Sequence, residues 1–192
     1  RTLEISDGAL ISESFNYCAE TLCGMGHQVG ALPLSLQAVE IRAHEFGTSH
    51  PAYAHALCVL AKCCHGLDRL RDAMPLIKKC LGICDAVFSV NHSNINPNLI
   101  VYGDILQTIG EQEKALMVYE GAESIHKGNC KPGQKEFELD ECQEKIRSLT
   151  SLLRNEMTFI TDDTNAVTSW TRQDVDERIN GVGTPVIVIT DI

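Results

Sequence analysis

Long apolar runs are missing from this sequence, and so is any excess of positive charge. No stretch approaches the roughly 20 apolar residues that a membrane-spanning helix requires, and the opening residues lack the pattern of a secretory leader. Lys and Arg number 16 against 26 Asp and Glu, a formal net charge of −10. That balance removes the electrostatic term that drives nucleic-acid binding, so DNA, RNA and anionic membrane are not expected partners. Aromatic residues make up only 5% of the chain, and no basic or aromatic patch stands out.

Catalytic and metal-binding patterns are missing too. No C-x-x-C pair occurs among the nine cysteines, so the close thiolate pairs of a zinc ribbon or finger are lacking. No nucleophile elbow, phosphate loop or His-Glu-x-x-His is found. The seven histidines are scattered, and His50 and His92 stand 42 residues apart, a spacing that belongs to architecture rather than chemistry. Acidic groups such as "DECQE" (140–144) and "DVDE" (174–177) read as solvated charge. The expectation is a non-enzymatic protein without cofactor or metal. Cysteines at small apolar positions read as core packing, and so many unpaired thiols suit a reducing, cytoplasmic setting.

What is present is a repeat. "CAETLCGMGHQVGALPLSLQAVEI" (18–41), "LAKCCHGLDRLRDAMPLIKKCLGI" (60–83) and "YGDILQTIGEQEKALMVYEGAESI" (102–125) align at an offset of 42 residues without a gap. Small residues recur at Ala19, Ala61 and Gly103, at Ala31, Ala73 and Ala115, and at Ala38, Cys80 and Ala122. Large apolar residues recur at Leu34, Leu76 and Val118 and at Ile41, Ile83 and Ile125. A period of this size predicts a solenoid in which each unit buries its apolar face on its neighbours.

Within each unit, apolar residues three and four apart flank a turn at Gly26, Asp68 or Gly110, the pattern of two amphipathic helices. First helices are expected at about 9–24, 51–66 and 97–109, second helices at about 29–45, 70–88 and 112–127. Pro51 and Pro97 fall near first-helix starts, where proline costs no hydrogen bond. Pro33 and Pro75 are expected early enough in the second helices for the same to hold. Residues 129–157 follow as a loop, "GNCKPGQ" (128–134), and a capping helix whose apolar side carries Phe137, Cys142, Ile146, Leu149, Leu152 and Leu153. The division expected is 1–128 for three hairpins, 129–157 for loop and cap, and 158–192 for a flexible tail.

The pattern Gly-x-x-x-x-Ala, Pro-Leu, Ala-x-x-Ile and then "FGTSHP" (46–51) resembles the long tetratricopeptide repeats of kinesin light chains, over about residues 8–128. The resemblance implies an all-α, right-handed solenoid that binds a protein or peptide partner. In that family an asparagine before the Leu-Ala pair of the first helix holds the backbone of a bound peptide; the matching positions here are Tyr17, Val59 and Val101. That way of holding a peptide therefore does not transfer, and the residues left as candidates for a concave groove are Tyr17, Val59 and Val101 with Glu20, Lys62 and Asp104. "RTLEISDG" (1–8) aligns with the end of a preceding unit, so further repeats are expected upstream. Oligomeric state is left open.

The chain ends on a different signal. "PVIVIT" (185–190) resembles the Pro-x-Ile-x-Ile-Thr motif by which calcineurin recognises its partners, with Pro185, Ile187, Ile189 and Thr190 in the matching places. Period-two alternation turns Pro185, Ile187 and Ile189 to one side, as strand addition to a receptor sheet requires. Two other readings stay open. "TDI" (190–192) resembles a PDZ ligand carried by Thr190 and Ile192, and residues 184–192 could instead begin the next domain of a larger enzyme whose helical accessory domain is the array.

Overall fold

The computed structural model describes residues 7–87, 96–129 and 136–163. Among them are seven helices: α1 (Asp7–Gly24), α2 (Gln28–Phe46), α3 (Pro51–Gly66), α4 (Leu70–Val87), α5 (Asn96–Ile109), α6 (Gln112–Asn129) and α7 (Glu136–Asp163). No strand occurs among the described residues. The protein is an all-α solenoid of three hairpins, α1–α2, α3–α4 and α5–α6, followed by α7. The first helices α1, α3 and α5 also touch one another in series.

The three turns close in the same way. His27, Arg69 and Glu111 donate backbone N–H groups to the carbonyls of Leu22, Cys64 and Leu106, five residues back, at 2.8, 2.8 and 3.0 Å. Gly26, Asp68 and Gly110 donate to Cys23, His65 and Gln107 at 3.1, 2.9 and 3.1 Å. This paired closure is the Schellman motif, and it demands a left-handed residue, here with φ of 80°, 58° and 95°. Gly and Asp are the residue types that reach that region at low cost.

Two prolines and one helix end differ from expectation. Pro33 and Pro75 lie inside α2 and α4, each the sixth residue of its helix, so each removes one hydrogen bond, to the carbonyl of Val29 or Arg71. Val29, Pro33, Arg71 and Pro75 are all exposed, which leaves those carbonyls open to water. The capping helix runs on to Asp163, six residues into the stretch assigned to the tail. At the start of α3, the ring of His50 accepts from the Ala52 N–H at 3.1 Å and Pro51 follows as the first helical residue, so His50 is a cap.

All three sets of small residues are buried. In the third hairpin a β-carbon added to Gly103 would sit 2.5 Å from the ring of Tyr119. Positions 35, 77 and 119, one repeat apart, hold Ser, Ile and Tyr, and the position facing the largest of them is the one that has lost its side chain. Helix α3 is buried on nearly every side, from Tyr53 to Cys64, whereas α1 buries only Ser12, Asn16 and Ala19. Cys58, Cys63, Cys64, Cys80, Cys84 and Cys142 are buried and form no disulfide, in agreement with core packing. Cys142 and Leu149 carry α7 into the same core.

Because the Tyr119 ring is enclosed, it cannot yield to a methyl group. Gly103→Ala should destabilise the array by about 1–3 kcal/mol, read as a lowered urea midpoint with an unchanged m-value. The same change in a Tyr119→Leu background should cost clearly less.

Candidate functional site

The column of residues at 20, 62 and 104 faces along the first helices. Lys62 donates to the Glu20 carboxylate across α1 and α3 at 3.3 Å. In the third hairpin, the Tyr119 hydroxyl donates to Asp104 at 2.5 Å, and Lys145 of α7 pairs with the same carboxylate. Glu20, Lys62, Asp104 and Lys145 thus alternate in sign at spacings of 42, 42 and 41 residues. Helix α7 supplies the fourth rung, standing where a fourth first helix would stand. His65 and Thr108 form a further link from α3 to α5 at 2.8 Å. Thr108 gives its hydroxyl proton to the Asp104 carbonyl, so His65 Nε2 is the donor.

Val59 and Val101 do not belong to this column's open side. Val59 is 1% exposed and Val101 3%; Val59 packs with Ala19, Ala31 and Cys63, and Val101 lies in the main core. These positions face the seam with the preceding hairpin. Tyr17, the equivalent residue in α1, is 58% exposed, since no hairpin precedes α1 among the described residues. Of the six groove candidates, the structure brings Glu20, Lys62 and Asp104 onto one half-exposed face, buries two, and leaves Tyr17 on the outer side of α1. The tail residues Pro185, Ile187, Ile189, Thr190 and Ile192 lie outside the described residues.

A cluster beside this face was not anticipated. Arg42, buried at the end of α2, donates to the Ala52 carbonyl at 2.8 Å and to His55 Nδ1 at 3.3 Å, and Asn16 reaches the same nitrogen at 3.2 Å. A guanidinium can only donate, so Nδ1 is an acceptor and the proton sits on Nε2, which lies 3.9 Å from Glu20. Desolvation lowers the His55 pKa; Glu20 opposes that shift and Arg42 adds to it. The repeat held one clue. Positions 42, 84 and 126 carry Arg, Cys and His, all buried, and each makes a polar contact with the next first helix or its own: Cys84 accepts from Asn98 at 3.4 Å and His126 meets Asn96 at 3.2 Å.

Chemically, this face pairs its own charges and offers no catalytic constellation. Among the described residues no group of three His, Cys, Asp or Glu is placed to hold a metal ion, and no helix is long and apolar enough to cross a membrane. Burial, and then the Asp104 carboxylate, push the Tyr119 phenol well above its ordinary value, which keeps it a hydrogen-bond donor.

The chain is similar in structure to a protein of Podosopora anserina described as a kinesin light chain with nearly identical TPR-like repeats, with a TM-score of 0.61 and 15% identity over 92% of this chain and 90% of that one. A single-residue variant of that same protein gives 0.60 and 14% over 93% and 90%. BtubC (BKLC) from P. vanneervenii gives 0.60 and 14% over 88% and 72%. The fold is a tetratricopeptide-type array. No protein-family model matches the sequence, and no curated protein matches it.

Two measurements check the geometry. The lowered His55 pKa means that the unfolded chain takes up this proton first, near pH 6.5. His55 therefore supports the fold fully above that pH and loses its contribution as pH falls below it; the midpoint loss between pH 7.5 and 5.5 should be smaller in His55→Gln than in the parent. Asp104→Ala should cost about 1–3 kcal/mol by removing the nearer acceptor of the Tyr119 hydroxyl and leaving it Gln107 at 3.4 Å, whereas Lys145→Ala should cost about 1 kcal/mol or less, both read by urea denaturation.

Proposed function

We propose that this protein is a non-enzymatic adaptor or scaffold, cytoplasmic, whose array holds a protein partner while the tail docks calcineurin by strand addition. The array supports the first part through its form. A row of first helices presents the half-exposed column at 20, 62 and 104, with the outer face of α1 at Tyr17 beside it. The column's charges are paired with one another, which suits recognition of a partner by shape and hydrogen bonding at this face.

The observation that carries the second part is the sequence "PVIVIT" (185–190). Proline at its start withholds a donor only at the strand's end. Val186 and Val188 favour the extended backbone, while Ile187 and Ile189 supply the alternate side chains that pockets would read. An adaptor of this kind brings a phosphatase to whatever the array holds.

The test is a fluorescence-polarisation titration of a labelled 180–192 peptide against calcineurin, repeated with the full chain as competitor. Saturable binding, weakened roughly tenfold or more by Ile187→Ala with Ile189→Ala, is expected. A peptide extended past Ile192 should bind equally well, which a PDZ ligand with its captured carboxylate would not. Absence of saturable binding would exclude the docking reading and leave the array without this second partner.

A further inference from the structure

The cysteines are not all core filler. Cys23 lies near the end of α1 and Cys63 in α3, and their sulfur atoms are 2.9 Å apart, against about 2.05 Å in a disulfide. Both are free thiols, Cys63 buried and Cys23 partly exposed. Cys23 stands beside the exposed turn at Gly24, Met25 and Gly26, so it is the member of the pair nearer to solvent. We propose that Cys23 and Cys63 form a dithiol modification site that a peroxide oxidises to a disulfide joining the first hairpin to the second.

The chemistry balances with one equivalent of hydrogen peroxide. The Cys23 sulfur attacks the peroxide, the O–O bond breaks, and Cys23 becomes a sulfenic acid with release of one water. The Cys63 sulfur then attacks the Cys23 sulfur, the S–O bond breaks, and hydroxide leaves to take up a proton as a second water. Two thiols are oxidised and one peroxide is reduced. Cys63 suits the second role: the hydrogen bond from Cys23 lowers its pKa, burial opposes this, and Ser35 assists. The same contact and burial raise the Cys23 pKa, so the first step draws on a small thiolate fraction and is slow. The sulfurs need to close by only about 0.9 Å to reach bonding distance.

The position gives the bond a consequence. Glu20 lies three residues before Cys23, Lys62 adjoins Cys63, and these two form the ion pair across α1 and α3. A disulfide here fixes the spacing of the two helices that carry the first rungs of the polar column. The other close thiols, Cys58, Cys80 and Cys84, are buried together and are screened from a peroxide in the folded chain. The inference does not depend on which partner the array binds.

The test treats the full chain with equimolar hydrogen peroxide, blocks remaining thiols by alkylation, and digests it with trypsin without reductant. The expected product is peptide 2–42 linked to peptide 63–69, short of two hydrogens relative to the pair. Each peptide holds a second cysteine, Cys18 or Cys64, so the link must persist in Cys18→Ser with Cys64→Ser and vanish in Cys23→Ser, a change at a partly exposed site. The melting temperature should rise by about 5–10 °C on oxidation and fall back on reduction. Alkylated Cys23 and Cys63 after peroxide, a sulfinic acid at Cys23, or a link that survives Cys23→Ser would each overturn the proposal.

Discussion

Two helices can bring their backbones close only where neither carries a side chain of any size at the crossing, and that constraint governs this molecule three times over. At 19, 61 and 103 the residues are Ala, Ala and Gly, and in the second helices Ala31, Ala73 and Ala115 are small and enclosed as well. Each crossing draws a hairpin tight enough for the larger residues further along both helices to interlock. Where Tyr119 fills more space than its counterparts Ser35 and Ile77, the facing residue has been reduced to glycine. The turn that joins the helices is adapted to the same end: a Schellman closure with a left-handed residue returns the chain at the angle the crossing needs.

Between hairpins the bonding is of another kind. Apolar contact continues through Val59 and Val101, but the seams also carry directional polar links, from Arg42 to the start of α3 and from Asn98 to Cys84. Such links add direction to the rotation of one unit on the next beside the apolar packing. The alternating column of Glu20, Lys62, Asp104 and Lys145 sits on the face this rotation creates. Helix α7 completes it by occupying the place of another first helix, so that the last hairpin's apolar side is covered and its rung of charge is answered.

The proposed function divides its labour between array and tail. The array offers a surface whose polar column pairs its own charges and whose geometry depends on how hairpins are seated, while the tail enters only through that proposed function. A dithiol between α1 and α3 lies at the joint that sets the geometry of that surface. The column and the dithiol are connected through the seating of one hairpin on the next.

Much of this was legible in the residues. The 42-residue period, the small residues at its crossings and the Gly or Asp at its turns located the described helices of the array within about two residues, because helix boundaries and hairpin crossings are set by neighbours close in sequence. The capping role of α7 followed from its one apolar side. The burial of Val59 and Val101, the depth of Pro33 and Pro75, the extra turns of α7, the Asn16, His55 and Arg42 cluster and the contact of Cys23 with Cys63 were not legible. Sequence by itself determined what repeats, since each hairpin answers to its own local pattern. Only the tertiary structure decided what meets across the seams, because contacts between residues some 40 apart depend on how far one hairpin is rotated on the last, and no period in the chain records that angle.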